Sequence, residues 1–476
     1  MPRASIIGAG PNGLSAAITL QQAGVETTLF EAGATVGGAC RTGEITLPGF
    51  HHDLGSSVYP MGVASPFFSA LPLGRYGHRW IEPLAACAHP LDDGTAVMLE
   101  HDLTVTTTGF GNAGDAASYR SLLKPLVDDW ADLCPEILGP IVHLPRSPLL
   151  LAKFGIYGML PAATLARSAF KGTRARALFA GMAAHSVLPL SRAFSSAVGL
   201  VLCAAGHTTG WPIAEGGAQS LSNALAQHFE GLGGTIRLNT PVANLNETGV
   251  ADAIVCDISP RQLHRIAGDR MPTAFDKKLQ NYKYGPGAYK IDWALSEPVP
   301  WKAADCARAA TVHIGGTLEE IAASEAAPWS KSGPHVSTRP FVLLVQPSLF
   351  DHSRAPVGKH TAWGYCHVWN GSTASVFEMI EAQVERFAPG FRDCILARTV
   401  TTPASFEEWN ANLIGGDLSG GAMTPKQLLF RPTSSIYETA MPNVFLCSAS
   451  TPPGGGVHGM CGHLAARRVL KSLNIR

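Results

Sequence analysis

Six consecutive positions near the start of the chain, Gly8-Ala9-Gly10-Pro11-Asn12-Gly13, have the spacing GxGxxG. Before them, Ala4 to Ile7 reads as a short buried strand. After them, Leu14 to Ala23 carries apolar residues at helical spacing until Gly24 ends the run, and Val25 to Phe30 reads as a second strand closed by Glu31. Strand, glycine turn, helix, strand and acid in this order are what a dinucleotide needs. Gly8 lets the chain turn sharply out of the strand. Gly10 lets a pyrophosphate approach the backbone, and Gly13 lets the helix pack closely on the strand. Pro11 and Asn12 open the helix, whose N-terminus offers N–H groups and a partial positive charge to phosphates. Glu31, with Ala32 beside it, can accept both hydroxyl protons of an adenosine ribose.

The elements that follow narrow the choice of nucleotide. A second glycine pair, Gly37-Gly38, precedes Arg41. A nicotinamide dehydrogenase has no need of that pair. In a flavoprotein it passes close to the flavin side of the cofactor, and Arg41 can neutralise phosphate. Phe50-His51-His52-Asp53-Leu54-Gly55-Ser56 resembles the segment that follows in flavin amine oxidases and phytoene desaturases. At the other end, Asn443 to Ala449 reads as a strand entering a loop, followed by Pro452-Pro453-Gly454-Gly455-Gly456-Val457-His458-Gly459-Met460-Cys461-Gly462 and a helix from Ala465 to Leu473. Glycines let backbone lie against a flat ring, and the new helix directs its N–H groups at it.

With both ends on the page, the chain resembles a phytoene-desaturase-like, FAD-dependent oxidoreductase of the glutathione-reductase-type Rossmann superfamily. Gly285 to Leu295 and Ala310 to Glu320 resemble the branch called pyridine nucleotide-disulfide oxidoreductase domain-containing proteins. That name does not suit this chain, which has no CxxC. The resemblance covers nearly the whole chain and implies a scaffold and a cofactor, FAD, rather than a substrate. It implies that Gly55, Ser56, Ser448, Gly455, Gly456, Val457 and Met460 also hold the cofactor, and that the Val242 backbone pairs with the adenine edge. His458 is the titratable candidate beside the ring, as a proton-passing group or only as a polar helix-start residue. Cys461 is placed at the ring edge.

The fold class is therefore α/β: a Rossmann-type FAD-binding domain (ββα, parallel sheet) with a discontinuous mixed α+β substrate domain. Residues 1–75, 206–280 and 419–476 form the first; residues 76–205, mainly helical, and 281–418, carrying sheet strands, form the second. Trp211 to Leu221 leads into a helix of the FAD domain, with Glu215 a cap or surface residue. Family members place a strand pair between Gly234–Leu238 and Ala251–Cys256; here only Ala243 to Val250 separates them, which predicts a trimmed hairpin. Leu149 to Leu160 is apolar with one charge. Core or dimer packing is its default, and a lid or membrane-dipping helix that admits an apolar substrate is the alternative. Phe341 to Val345 and Thr361 to Val368 are the clearest strands of a sheet that could roof the ring, and core packing is the default for Trp293, Trp301, Trp363 and Trp369.

Composition excludes other classes. Lys plus Arg equals Asp plus Glu at 36 each among 476 residues, which argues against a phosphate-tracking nucleic-acid binder. A hydrophobic content of 46% excludes intrinsic disorder. Ten scattered cysteines are too few for a disulfide scaffold and read as reduced structural thiols. No apolar run reaches the ~18 residues of a membrane span, and no signal peptide is visible. The expected setting is cytoplasmic, with peripheral membrane contact and homo-oligomerisation as open expectations. No metal is expected: a strand entering the flavin site accounts for His51, His52 and Asp53.

Flavin chemistry needs no catalytic dyad, and neither GxSxG nor HExxH occurs. The leading expectation is an oxidoreductase that dehydrogenates carbon–carbon bonds of a small apolar substrate, of isoprenoid or polyene class, by hydride transfer to flavin N5. Oxygen, a quinone or another acceptor would take the electrons. A redox-neutral double-bond isomerase and an FAD-stabilised binding or scaffold protein are the alternatives.

Overall fold

The strand Arg3–Ile7 is buried from Ala4 onward and sits at the centre of a parallel sheet. Its neighbours are Glu26–Phe30 on one side and Ala253–Cys256 on the other. Thr235–Arg237 and Val444–Leu446 complete the five strands at the edges. This computed structural model describes residues 1–332, 335–432 and 434–475. The helix Pro11–Gln22 starts with proline at its first turn, where a missing N–H costs nothing. It is buried almost throughout because it packs against both Met460–Ser472 and Ala218–Gly231. Gly462 makes the first contact close: a Cβ there would lie 1.8 Å from the Asn12 carbonyl oxygen. The two ends of the chain thus meet on one sheet.

The connection from Ala243 to Val250 contains a single short turn, Leu245–Thr248, in place of a strand pair. It buries Leu245, and the Ser5 hydroxyl donates to the Thr248 carbonyl at 3.0 Å. The sheet edge is therefore closed by a plug rather than a hairpin.

A mixed seven-stranded sheet forms the second layer. Its order is Ile395–Thr401, Gly287–Leu295, His360–Val368, Val342–Val345, Ala309–Ile314, Ala85–Pro90 and Ala96–Leu99. The last two strands come from residues 76–205, so that insert is not purely helical: both inserts build one sheet. Strand alternation gives its faces different work. Ile291, Trp293, Val342, Leu344 and Ile314 pack into a core completed by Ile380, Val384 and Phe387 of the helix Phe377–Phe387. Lys290, Asp292, Trp363, Tyr365, His367 and His313 point to the other side, toward the first sheet. Trp293 and Trp363 are buried, whereas Trp369 is partly exposed.

The helices Pro148–Gly158, Thr173–Ala184 and Ser195–Thr208 pack beside this second face. The expected core packing of the Leu149–Leu160 run is corrected. Leu149 is 79% and Ile156 is 61% exposed, while Leu151, Phe154 and Met159 line a cavity. The run is apolar all round because one face meets the cavity and the other faces outward. All ten cysteines are buried free thiols.

Candidate functional site

A cavity of about 1050 Å³ runs between the two sheets. One end is the N-terminal glycine turn, and the glycines there are forced by contact. A Cβ on Gly13 would lie 2.0 Å from the Gly8 carbonyl oxygen, and one on Gly55 would lie 2.3 Å from the Ala39 carbonyl oxygen. The second glycine pair touches the first turn: a Cβ on Gly38 would be 3.1 Å from Gly10 Cα, and the Gly37 N–H donates to the Ala9 carbonyl at 2.8 Å. Glu31 sits over this turn. Its Oε2 accepts the Ala9 N–H and its Oε1 the Gly33 N–H, both at 2.8 Å.

Most expected cofactor residues line this cavity: Gly8, Gly10, Pro11, Asn12, Glu31, Ala32, Gly38, Arg41, Gly55, Ser56, Val242, Ser448, Gly455, Gly456 and Val457. Gly13, Gly37 and Met460 do not. Gly13 and Gly37 pack behind the lining, and the Met460 N–H is taken by His458 Nδ1 at 3.1 Å. His458 lines the cavity but is buried, and burial holds its ring down to about 4. This is the polar helix-start arrangement. Cys461 faces away from the cavity, with its thiol donating to the Thr451 and Gly454 carbonyls at 3.4 and 3.3 Å.

The donor set suits a dinucleotide. Arg41 is the only lysine or arginine among the described lining residues, stacked over Trp409 at 4.7 Å. The buried Asn12 side-chain oxygen has no partner among the described residues. Glu31 is at the ribose position of the turn.

Comparisons with known proteins agree. Residues 6–71 match the family described as NAD(P)-binding Rossmann-like domain. The chain is 26% identical to pyridine nucleotide-disulfide oxidoreductase domain-containing protein 2 of Mus musculus, over 99% of this chain and 93% of that protein. It is 24% identical to phytoene desaturase (lycopene-forming) of Pseudescherichia vulneris, over 100% of this chain and 99% of that protein. The fold matches the crystal structure of an oxidoreductase from Methanosarcina mazei with a TM-score of 0.67 at 15% identity, covering 98% of this chain and 100% of that one. These relatives support an FAD-dependent oxidoreductase similar over nearly its whole length to the phytoene desaturases. Its cofactor is FAD.

Three features of this flavoenzyme's site escaped the sequence. The first is Asp257, at the end of the strand Ala253–Cys256. It lines the cavity, and its Oδ2 accepts the Gly13 N–H at 2.8 Å. One helix N-terminal donor is therefore already used. Burial, with a smaller push from Glu31 and against the Gly13 hydrogen bond, raises the Asp257 carboxyl to about 7.

The second is a buried ionic joint under the ribbon formed by Thr42–Glu44 and His51–Asp53. Asp53 pairs with the fully buried Arg354 at 2.7 Å. It also accepts the Ala218 N–H at 2.8 Å and the Ser57 hydroxyl. Burial raises its carboxyl, but Arg354 and these donors outweigh burial and hold it below the usual range. Lys290 Nζ bonds Asp292 at 2.5 Å and the Asp53 carbonyl at 2.9 Å. Burial, Lys290 and Arg354 together drive His52 down to about 3. The joint fastens the cofactor half to the substrate sheet. Among the described residues no group of three or more His, Cys, Asp or Glu is placed to hold a metal.

The third is the chamber beyond the turns, where Ile137, Leu151, Phe154, Phe194, Val198 and Val201 meet Tyr365, His367 and His185. Glu215, by contrast, is an exposed residue near Arg79.

Proposed function

We propose that this oxidoreductase is a dehydrogenase that introduces a double bond into an apolar substrate of isoprenoid or polyene class. The observation that carries this is the continuity of one cavity from the dinucleotide turn to an aliphatic chamber. A ligand in the chamber meets alkyl and phenyl side chains on most sides, which favours a long apolar molecule. The relative named phytoene desaturase points the same way.

FAD, when bound, supplies the acceptor for a hydride leaving a substrate carbon. Glu31 would hold its ribose, the Gly8–Gly13 and Gly37–Arg41 turns its phosphates, and Gly455–Val457 its ring end. The chamber residues orient the chain and exclude water. Loss of a hydride and a proton from adjacent carbons would form the double bond, with solvent taking the proton and oxygen, a quinone or another acceptor taking the electrons.

The helix Pro148–Gly158 supports entry from an apolar phase. The residues around it leave Leu144, Leu149, Ile156 and Met159 exposed, and with no net charge on the chain lipid contact would be apolar rather than electrostatic. Among the described residues no single helix is long and apolar enough to cross a membrane.

The test is product analysis after incubating the FAD-loaded protein with farnesol, geranylgeraniol and phytoene. A product lighter by two hydrogens is expected. A product of unchanged mass with a moved double bond would make the protein an isomerase, and no conversion of any of the three would overturn the substrate class.

A further inference from the structure

One wall of the aliphatic chamber is polar. Tyr365 and His367 lie two positions apart on the strand His360–Val368 and so share the face that lines the cavity. His367 is 7% exposed. Its Nδ1 lies 2.8 Å from Oε2 of Glu325, on the helix Leu318–Ala326. A carboxylate oxygen accepts there, which puts a proton on Nδ1 and turns Nε2 away from the pair. Neither that Nε2 nor the Tyr365 hydroxyl has a hydrogen-bond partner among the described residues, and the two rings stand edge to face at 5.5 Å. His185 joins from the end of the helix Thr173–Ala184. Its Nε2 meets His313 Nε2 at 2.9 Å, its ring lines the cavity, and it is close enough for a charge on His367 to oppose one on itself.

Tyr365 and His367 both line the cavity and neither atom is sealed within the protein, so these polar atoms in an otherwise apolar wall are available to a ligand. The Glu325 carboxylate behind His367 offsets any charge on the ring, and Arg41, the only lysine or arginine among the described lining residues, belongs to the dinucleotide end. An anionic head would lack its counter-charge here.

We propose that His367, together with Tyr365 and His185, forms a subsite that hydrogen-bonds a neutral oxygen function, a hydroxyl or a carbonyl, on the otherwise apolar substrate. Glu325 is the positioning residue that sets the His367 tautomer and ring angle. This deepens, and rests on, the apolar-substrate reading given above.

The experiment titrates the FAD-loaded protein with farnesol, farnesal and farnesene, which share one chain and differ in the oxygen, and reads the perturbation of the flavin visible spectrum. The alcohol or the aldehyde should bind about tenfold more tightly than the hydrocarbon. His367→Phe and Glu325→Leu should abolish that preference, Glu325→Leu should do so while the farnesene Kd stays put, and Glu325→Asp should keep part of it. Should His367→Phe fail to retain FAD, Tyr365→Phe, which removes a single oxygen, should lower the preference about threefold. Equal binding of all three ligands to the wild type, or an unchanged preference in these variants, overturns the subsite and leaves the apolar chamber standing. No spectral response to any of the three overturns the apolar-substrate reading with it.

Discussion

Asp257 holds the Gly13 backbone N–H at 2.8 Å through Oδ2, so an acid stands directly beneath the turn that faces the FAD pyrophosphate. The same oxygen would lie 2.7 Å from a Cβ on Gly10. The turn is therefore packed on a carboxyl group, and its affinity for an anion depends on whether that group carries charge.

The folded-state value of about 7 lies above the ordinary 3.8, so folding favours the protonated acid. Its stabilising contribution is complete below about pH 4 and is lost as pH rises through about 7. FAD binding should follow the same sense, because the neutral acid repels phosphate less. The FAD Kd, read by fluorescence quenching, should weaken about tenfold between about pH 6 and pH 8. Asp257→Asn, which keeps an acceptor for Gly13, should flatten both the Kd and the Tm profile across that window.

The glycine positions give a steric expectation. A methyl group on Gly13 would strike the Gly8 carbonyl at 2.0 Å, so helix and strand must separate. Gly13→Ala should purify with little or no FAD and lose about 2–4 kcal/mol of stability by chemical denaturation.

This half of the molecule was legible in the sequence because its parts are contiguous. Strand, turn, helix and acid follow one another, and each carries its own local signature in Gly8, Gly10, Gly13 and Glu31. The joint was not legible. Asp53 and Arg354 are 301 positions apart and meet only because the substrate sheet folds back over the ribbon. His367 and Glu325 likewise come from a strand and a helix with no local motif to announce them. The run from Leu149 to Leu160 misled for a related reason: apolar residues on all sides fit a core helix as well as one caught between a cavity and the exterior. Met460, counted among the cofactor residues by resemblance, does not line the cavity, and its N–H is spent on His458.

Arg354 is expected to behave as a buried partner rather than a surface charge. Arg354→Met leaves Asp53 ionised and uncompensated, and should cost about 3–5 kcal/mol in a urea melt. Adding Asp53→Asn should recover a large part of that loss, since the stranded charge is then gone. Equal stability of the single and double variants would contradict the assigned pairing.

Glu31 receives two backbone N–H groups at 2.8 Å and still faces the cavity. Glu31→Ala removes the ribose acceptor and leaves two donors without a partner. FAD affinity should fall by about tenfold to a hundredfold, measured by equilibrium dialysis. Asn12→Ala at the same turn should have the smaller effect, because it removes only one unpartnered oxygen.

The most direct measurement is an anaerobic titration of the FAD-loaded protein with an apolar isoprenoid, following the yellow flavin band and the ligand's mass together. The account predicts that the band bleaches as the ligand loses two hydrogens, in equal amounts, and returns when oxygen or a quinone is admitted. A band that stays oxidised with saturating ligand in the chamber, and a ligand recovered unchanged, would contradict it.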